Sequence, residues 1–185
     1  MLFRSVTTDD PDTIAQADLV VLPGVGAFAA CMGALQARSG VIEAITEAVR
    51  ERGQPFLGIC VGLQLLAERG LEFGETPGLG WIPGDVRKIE PRSHELKVPH
   101  MGWNALSLPR PHAITKSVPE GGHMYFTHSF VLDAKDEADV IAVSEHGDRF
   151  VAAVARDNVA GMQFHPEKSQ ANGIRLLGDF LEWRP

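Results

Sequence analysis

Two short apolar runs restrict the folds open to this chain: Leu19-Val20-Val21-Leu22 and Pro55 to Ile59, each running into a glycine-containing turn. Between them Val41, Ile42, Ile45, Ala48 and Val49 recur at helical spacing, with Glu43, Glu47, Arg50 and Glu51 on the opposite face and Gly53 as a stop. Strand, amphipathic helix and strand in that order imply parallel pairing, with helices covering the sheet. A helical stretch is expected from Val61 to Arg69, and a short helix near Pro11 to Ala15. The second half reads differently. Asp85 to Ile89, His123 to Leu132, Val140 to Ser144, Phe150 to Ala155 and Val159 to Phe164 are predicted strands. Hairpin turns are expected at Glu145–Asp148 and Arg156–Asn158, and a last amphipathic helix from about Ala171 to Trp183. The expected fold is α/β, a three-layer sandwich with a mostly parallel central sheet plus antiparallel hairpins in the C-terminal half, residues 1–185 forming one domain.

Composition narrows the function. The chain has 185 residues, 44% hydrophobic and 22% charged, values of a globular protein that exclude a disordered or collagen-like chain. A net charge of -7, with no Lys/Arg run, excludes general nucleic-acid binding. The uncharged stretch Leu19 to Ala37 approaches the length of a membrane span, but Pro23, Gly24, Gly26 and Gly33 interrupt it. No signal-peptide pattern opens the chain, so a soluble, cytoplasmic protein is expected. Two cysteines, Cys31 and Cys60, fit a reducing compartment.

Gly58-Ile59-Cys60-Val61-Gly62 joins a strand to a helix in the manner of a nucleophile elbow. A nucleophile on so tight a turn takes a strained backbone, and glycines two residues to either side remove side chains that would collide. The helix amides are expected to lower the thiol pKa, and the Val61 N–H to stabilise an oxyanion. A buried core cysteine beside two packing glycines is the plain alternative. In His165-Pro166-Glu167 the proline favours an extended His165, which puts His165 and Glu167 on one face. The carboxylate then holds Nδ1–H and leaves Nε2 to take a thiol proton. A strand-end histidine beside a solvated glutamate is the alternative. Pro23-Gly24-Val25-Gly26 closes a strand of the same sheet, where sites lie at carboxyl ends, and offers a second oxyanion donor.

Pro-Gly-Val-Gly, Gly-Ile-Cys-Val-Gly-Leu-Gln and Phe-His-Pro-Glu, in that order, resemble the class I (triad) glutamine amidotransferases. Leu79–Gly84, Pro99-His100-Met101-Gly102-Trp103-Asn104, Tyr125–Ser129 and Glu167-Lys168-Ser169 are similar to the glutaminase subunits of imidazole glycerol phosphate synthases, and the likeness spans essentially the whole chain. The resemblance implies that Cys60 attacks the amide of L-glutamine, that His165 shuttles the proton and that Glu167 orients it. It implies an oxyanion hole at Gly24, Val25 and Val61, and glutamine contacts at Gly26, Gln64, Ser129 and Phe130. Phe130 stands where the family often has tyrosine. It places Trp103, Asn104 and Lys168 toward a (β/α)₈-barrel cyclase that receives the ammonia, and it implies no cofactor and no metal. Another amidotransferase, of anthranilate, purine or pyridoxal phosphate synthesis, and an inactive binding partner are the alternatives.

The chain opens without the family's first strand and Tyr-Gly-x-Gly-Asn-like turn. Met1 to Val6 reads as the second strand, so a gap in the sheet with two unpaired edges is expected, as is a misplaced or truncated start. Cys31 is expected in the core and His94, His112 and His146 at the surface. His100, His123 and His128 lack metal-ligand spacing, with His123 and His128 on opposite faces of a strand. Trp81, Phe126 and Phe130 are expected to pack, and Asp133 to Asp139 to be solvated.

Overall fold

The computed structural model describes residues 4–92 and 95–185. In chain order the elements are α1 (Pro11–Ala15), β1 (Val20–Gly24), α2 (Phe28–Gln36), α3 (Val41–Thr46, continued by a π-helical turn Glu47–Glu51), β2 (Phe56–Cys60) and α4 (Val61–Gln64). There follow β3 (Arg69–Gly70), β4 (Thr76–Pro77), β5 (Gly84–Lys88), β6 (His100–Ala105), β7 (His123–His128), β8 (Phe130–Ala134), β9 (Val140–Glu145), β10 (Arg149–Arg156), β11 (Val159–Met162) and α5 (Gln170–Glu182).

The principal sheet has the order β1-β2-β11-β10-β9. β2 runs parallel to β1 and to β11, while β10 is antiparallel to both its neighbours, so four of the five strands point one way. β2 and β11 are buried along their whole length, as strands covered on both faces must be. β1, at the edge, alternates between half-buried and exposed residues. A second sheet, β4-β3-β5-β8, and the antiparallel pair β6-β7 complete the α/β architecture. Phe56, Leu57, Leu63, Leu66, Phe126 and Phe164 are almost wholly buried at its centre. Trp81 packs edge-on against Phe56, at 5.3 Å between ring centroids. Among the described residues no helix is long and apolar enough to cross a membrane.

Several expectations need correcting. The helix expected over Val61–Arg69 stops at Gln64. The carbonyls of Leu65, Leu66 and Ala67 accept instead from Leu79, Trp81, Ile82 and Gly80, where the chain folds back on itself. The strand expected over His123–Leu132 breaks at Ser129, where the chain leaves β6 as partner and joins β5. β6 itself was not foreseen, since Met101, Gly102 and Trp103 show no apolar alternation. Of the strand expected at Met1–Val6, Met1–Phe3 lie outside the described residues and Arg4–Val6 are exposed, non-strand chain. β1 pairs with β2 on one side, and among the described residues no strand pairs with its other edge, the side on which the gap was expected. Asp139 is buried rather than solvated, and Arg156 Nε lies 2.9 Å from its Oδ1. His146 is half-buried and stacked on His100 at 4.3 Å, and His112 is half-buried against Trp183. His94 lies outside the described residues. Cys31 is only half-buried, its Sγ donating to the Val25 carbonyl at 3.4 Å.

Candidate active site

Cys60 ends β2 with φ 55° and ψ -110°, a backbone that a residue with a Cβ rarely adopts. It is held there by close packing. A Cβ on Gly62 would strike the Leu22 carbonyl oxygen, and one on Gly58 would strike the Gly62 carbonyl oxygen. Only glycine permits both approaches. Gly24, the last residue of β1, sits across from Cys60 in the parallel register, so the Pro23–Gly26 turn lies beside the thiol.

The expected acid shift of the thiol is reversed. Burial pushes the Cys60 thiol up to about 11, although the Val61 N–H hydrogen-bonds the sulfur and opposes this. The negative charge of Glu167 adds to the rise, and Lys168 counters it weakly. Loss of water wins.

His165 has the expected extended backbone, φ -99° and ψ 97°, but Pro166–Lys168 then turn as a 3₁₀ helix rather than continuing extended. The turn still brings His165 Nδ1 to 2.8 Å from Glu167 Oε1. A carboxylate there selects the Nδ1–H tautomer and leaves Nε2 as acceptor. Nε2 is buried and, among the described residues, without a hydrogen-bond partner. Ser169 fixes the turn: its hydroxyl donates to the His165 carbonyl at 2.6 Å and accepts the Tyr125 N–H at 3.0 Å.

A cleft of about 320 Å³ is lined by Val25, Gly26, Cys60, Val61, Gln64, Glu72, Thr127, His128, Ser129, Phe130, His165 and Lys168, among others. Its size suits a ligand no larger than an amino acid or a small cofactor fragment. The structure thus gathers Cys60, His165 and the glutamine-contact candidates around one space. Gln64 is buried, its Nε2 donating to the Phe130 carbonyl and to Gln163 Oε1, 3.0 Å each. The Ser129 carbonyl accepts from Ile89 N–H at 2.9 Å. Sequence reasoning passed over Glu72, whose carboxylate accepts the Phe28 N–H at 2.8 Å and borders the cleft. It also passed over Gln163, which directs Nε2 toward Cys60 Sγ at 3.7 Å. The motif Gln163-Phe164-His165 was the available signal for the second, while nothing local marked the first.

The remaining candidates lie outside the cleft or on its rim. Trp103 and Met101 share the exposed face of β6, and Trp103 stands edge-on to Tyr125 at 5.9 Å. Lys168 Nζ lies 5.7 Å from the centre of the same Tyr125 ring. Asn104 faces the other way, donating to the Glu145 carbonyl at 2.6 Å. Among the described residues no group of three or more His, Cys, Asp or Glu side chains is arranged to hold a metal ion.

A five-stranded, mostly parallel sheet thus carries a strained cysteine at one strand end, and a carboxylate-held imidazole lines the same cleft. The family model for glutamine amidotransferase class-I matches residues 3–182, and the chain belongs to that family. It is 61% identical over 180 residues to the imidazole glycerol phosphate synthase subunit HisH of Caulobacter vibrioides, covering 97% of this chain and 84% of that one. The subunit of the same name from Bradyrhizobium diazoefficiens is 53% identical over 181 residues, covering 96% and 84%. Among solved structures, one described as a glutamine amidotransferase superposes with a TM-score of 0.69 at 20% identity, covering 95% of this chain and 83% of that chain. PurLQS of Thermotoga maritima superposes with a TM-score of 0.65 at 22% identity, covering 89% and 79%. At such identities these two structures speak for the fold alone.

Proposed function

We propose that this chain is the glutaminase subunit of an imidazole glycerol phosphate synthase. It hydrolyses L-glutamine to glutamate and ammonia and passes the ammonia to a (β/α)₈-barrel cyclase in histidine biosynthesis, in the cytoplasm, as a single amidotransferase domain. The observation that carries the reading is the shared cleft of Cys60 and His165, with Nδ1 of the imidazole engaged by Glu167 and Nε2 unengaged.

His165 Nε2 takes the Cys60 proton as sulfur attacks the side-chain carbonyl carbon of glutamine. The negative oxygen of the tetrahedral adduct is received by the Val61 N–H and by amides of the Gly24–Val25 turn. The adduct collapses as His165 returns the proton to nitrogen, and ammonia leaves. A water, deprotonated by His165, then attacks the thioester carbon; glutamate departs and the sulfur regains its proton. Glu167 stabilises the imidazolium formed in each half. Glu72 supplies a negative charge for the α-ammonium of glutamine, and Gln64, Gly26, Ser129 and Phe130 border its remaining atoms. A thiol at about 11 is protonated near neutrality, so the transfer to His165 belongs to the barrier, not to the resting state.

Trp103 and Lys168 present the surface for the cyclase, with Asn104 beneath it. Ammonia is the nucleophile only while unprotonated, and a closed interface keeps it so and holds it near its acceptor. Co-expression with the barrel subunit tests the reading. Cys60→Ala is expected to cut glutamate release by about 10³-fold or more while synthesis from ammonium salts persists. Undiminished release in Cys60→Ala would contradict it.

A further inference from the structure

The sulfur of Cys60 has a neighbour outside the triad. Gln163, wholly buried just beyond β11, directs its Nε2 at Cys60 Sγ, 3.7 Å away. What lies behind Gln163 decides which end of its amide faces the sulfur. Gln64 Nε2 donates both to the Phe130 carbonyl and to Gln163 Oε1. A peptide carbonyl only accepts, so Gln64 turns its NH₂ group toward Phe130; that NH₂ group only donates, so Gln163 turns its oxygen toward Gln64. The NH₂ group of Gln163 is left facing the sulfur. Reversing either amide would set like groups against each other without water, at the full desolvation cost of each.

The same logic extends past Phe130. His128 Nδ1 lies 3.1 Å from that carbonyl and must donate to it, so His128 Nε2 accepts. His100 Nδ1, 2.9 Å from that nitrogen, is therefore a donor, and His100 Nε2 accepts from Asn104 Nδ2 at 3.3 Å. These roles require both imidazoles to be neutral. Burial provides this, pushing His100 down to about 4, helped by the charge of His146, and His128 down to about 3, helped by the charges of His100 and His146.

We propose that Gln163 is a further catalytic residue, whose Nε2–H hydrogen-bonds the Cys60 sulfur and favours its thiolate, held in that direction by Gln64 and by the chain of donors running from Asn104 on β6 through His100, His128 and the Phe130 carbonyl. An N–H bond to a thiolate is stronger than one to a thiol, so the contact tightens as the proton leaves. The inference rests on Cys60 as nucleophile but not on glutamine as substrate.

Alkylation of the full chain by iodoacetamide, resolved by peptide between about pH 7 and 10, tests it, with Cys31 as the reference thiol in the same digest. Gln163→Leu removes the donor and is expected to slow Cys60 alkylation about tenfold, one unit of thiol acidity. Gln163→Glu sets an anion against the sulfur and slows it further. Cys31 reacts as before. Wild-type rates at Cys60 in both variants would overturn the proposal. If neither variant folds, NMR of the unsubstituted protein decides: the Gln163 side-chain amide protons are expected to shift as pH is raised toward about 11 and Cys60 ionises, and to stay still over that same rise in Cys60→Ser. Equal behaviour in the two proteins would overturn it. Failure of the nucleophile reading shows elsewhere, as glutamate release that survives Cys60→Ala in the complex.

Discussion

Glu167 Oε1 stands 2.8 Å from Nδ1 of His165, while Nε2 of the same ring is buried and meets no partner among the described residues. A buried nitrogen without a partner is unfavourable in a resting protein, and it persists here because Glu167 and Ser169 fix the ring and the turn that carries it. Glu167→Gln keeps the shape but lets the ring take either tautomer. Because the Glu167 side chain is half exposed, the loss is expected to be about 10²-fold in kcat, smaller than for a fully buried orienter. Steady-state glutamate release in the complex checks this, with KM changing little.

The elbow depends on the absence of a Cβ. Gly62→Ala is expected to cost about 2 kcal/mol or more, since the added carbon meets the Leu22 backbone, which cannot yield as a side chain would. Gly178, exposed within α5 and with open space around it, predicts the reverse: Gly178→Ala should gain about 0.5–1 kcal/mol. Urea denaturation of the two variants should move the midpoint in opposite directions.

Arg156 is the partner of a buried carboxylate, Asp139, which is 4% exposed and whose other oxygen has no hydrogen-bond partner among the described residues. Arg156→Leu leaves that charge without its counterion, an expected loss of about 3 kcal/mol. Arg149→Leu, which removes an exposed pair with Glu137, should cost under about 1 kcal/mol. Thermal melts of the two variants separate the cases.

Acid should weaken the fold through His100 and His128. Their folded values, about 4 and about 3, lie below the 6.5 of the unfolded chain. Above 6.5 neither state is protonated and the pair has no pH effect. As pH falls below 6.5 the unfolded chain binds protons that the folded protein refuses, so stability drops until the folded rings titrate in turn. By pH 5 the loss is about 2 kcal/mol for each ring, and His128→Asn should remove much of the slope between pH 7 and 5. Urea midpoints across that range provide the check.

What the sequence made legible was set by locality. The apolar runs of β1 and β2, the Gly58–Gly62 elbow and the His165–Glu167 pair are each written within a few residues and stand where expected. Less could be read where distant chain decides. α4 is shortened because residues 79–82 return to take the carbonyls of Leu65 to Ala67. Asp139 is buried because Arg156, at the end of β10, covers its charge. The thiol's acidity was misjudged because the burial of Cys60 depends on such returns. Glu72 borders the cleft, and Gln163 meets Gln64 and Cys60, only once distant parts of the chain have been brought together.

In the proposed reaction Cys60 becomes covalently joined to the glutamyl group, and His165 serves both the formation and the breakdown of that bond. Acid quenching of the complex during turnover, followed by peptide mass spectrometry, tests it most directly. A glutamyl adduct is predicted on the Cys60 peptide of the wild-type protein, absent in Cys60→Ala and lost with glutamate release in His165→Ala. Steady release of glutamate with no adduct at any time point, together with undiminished release in Cys60→Ala, would contradict it.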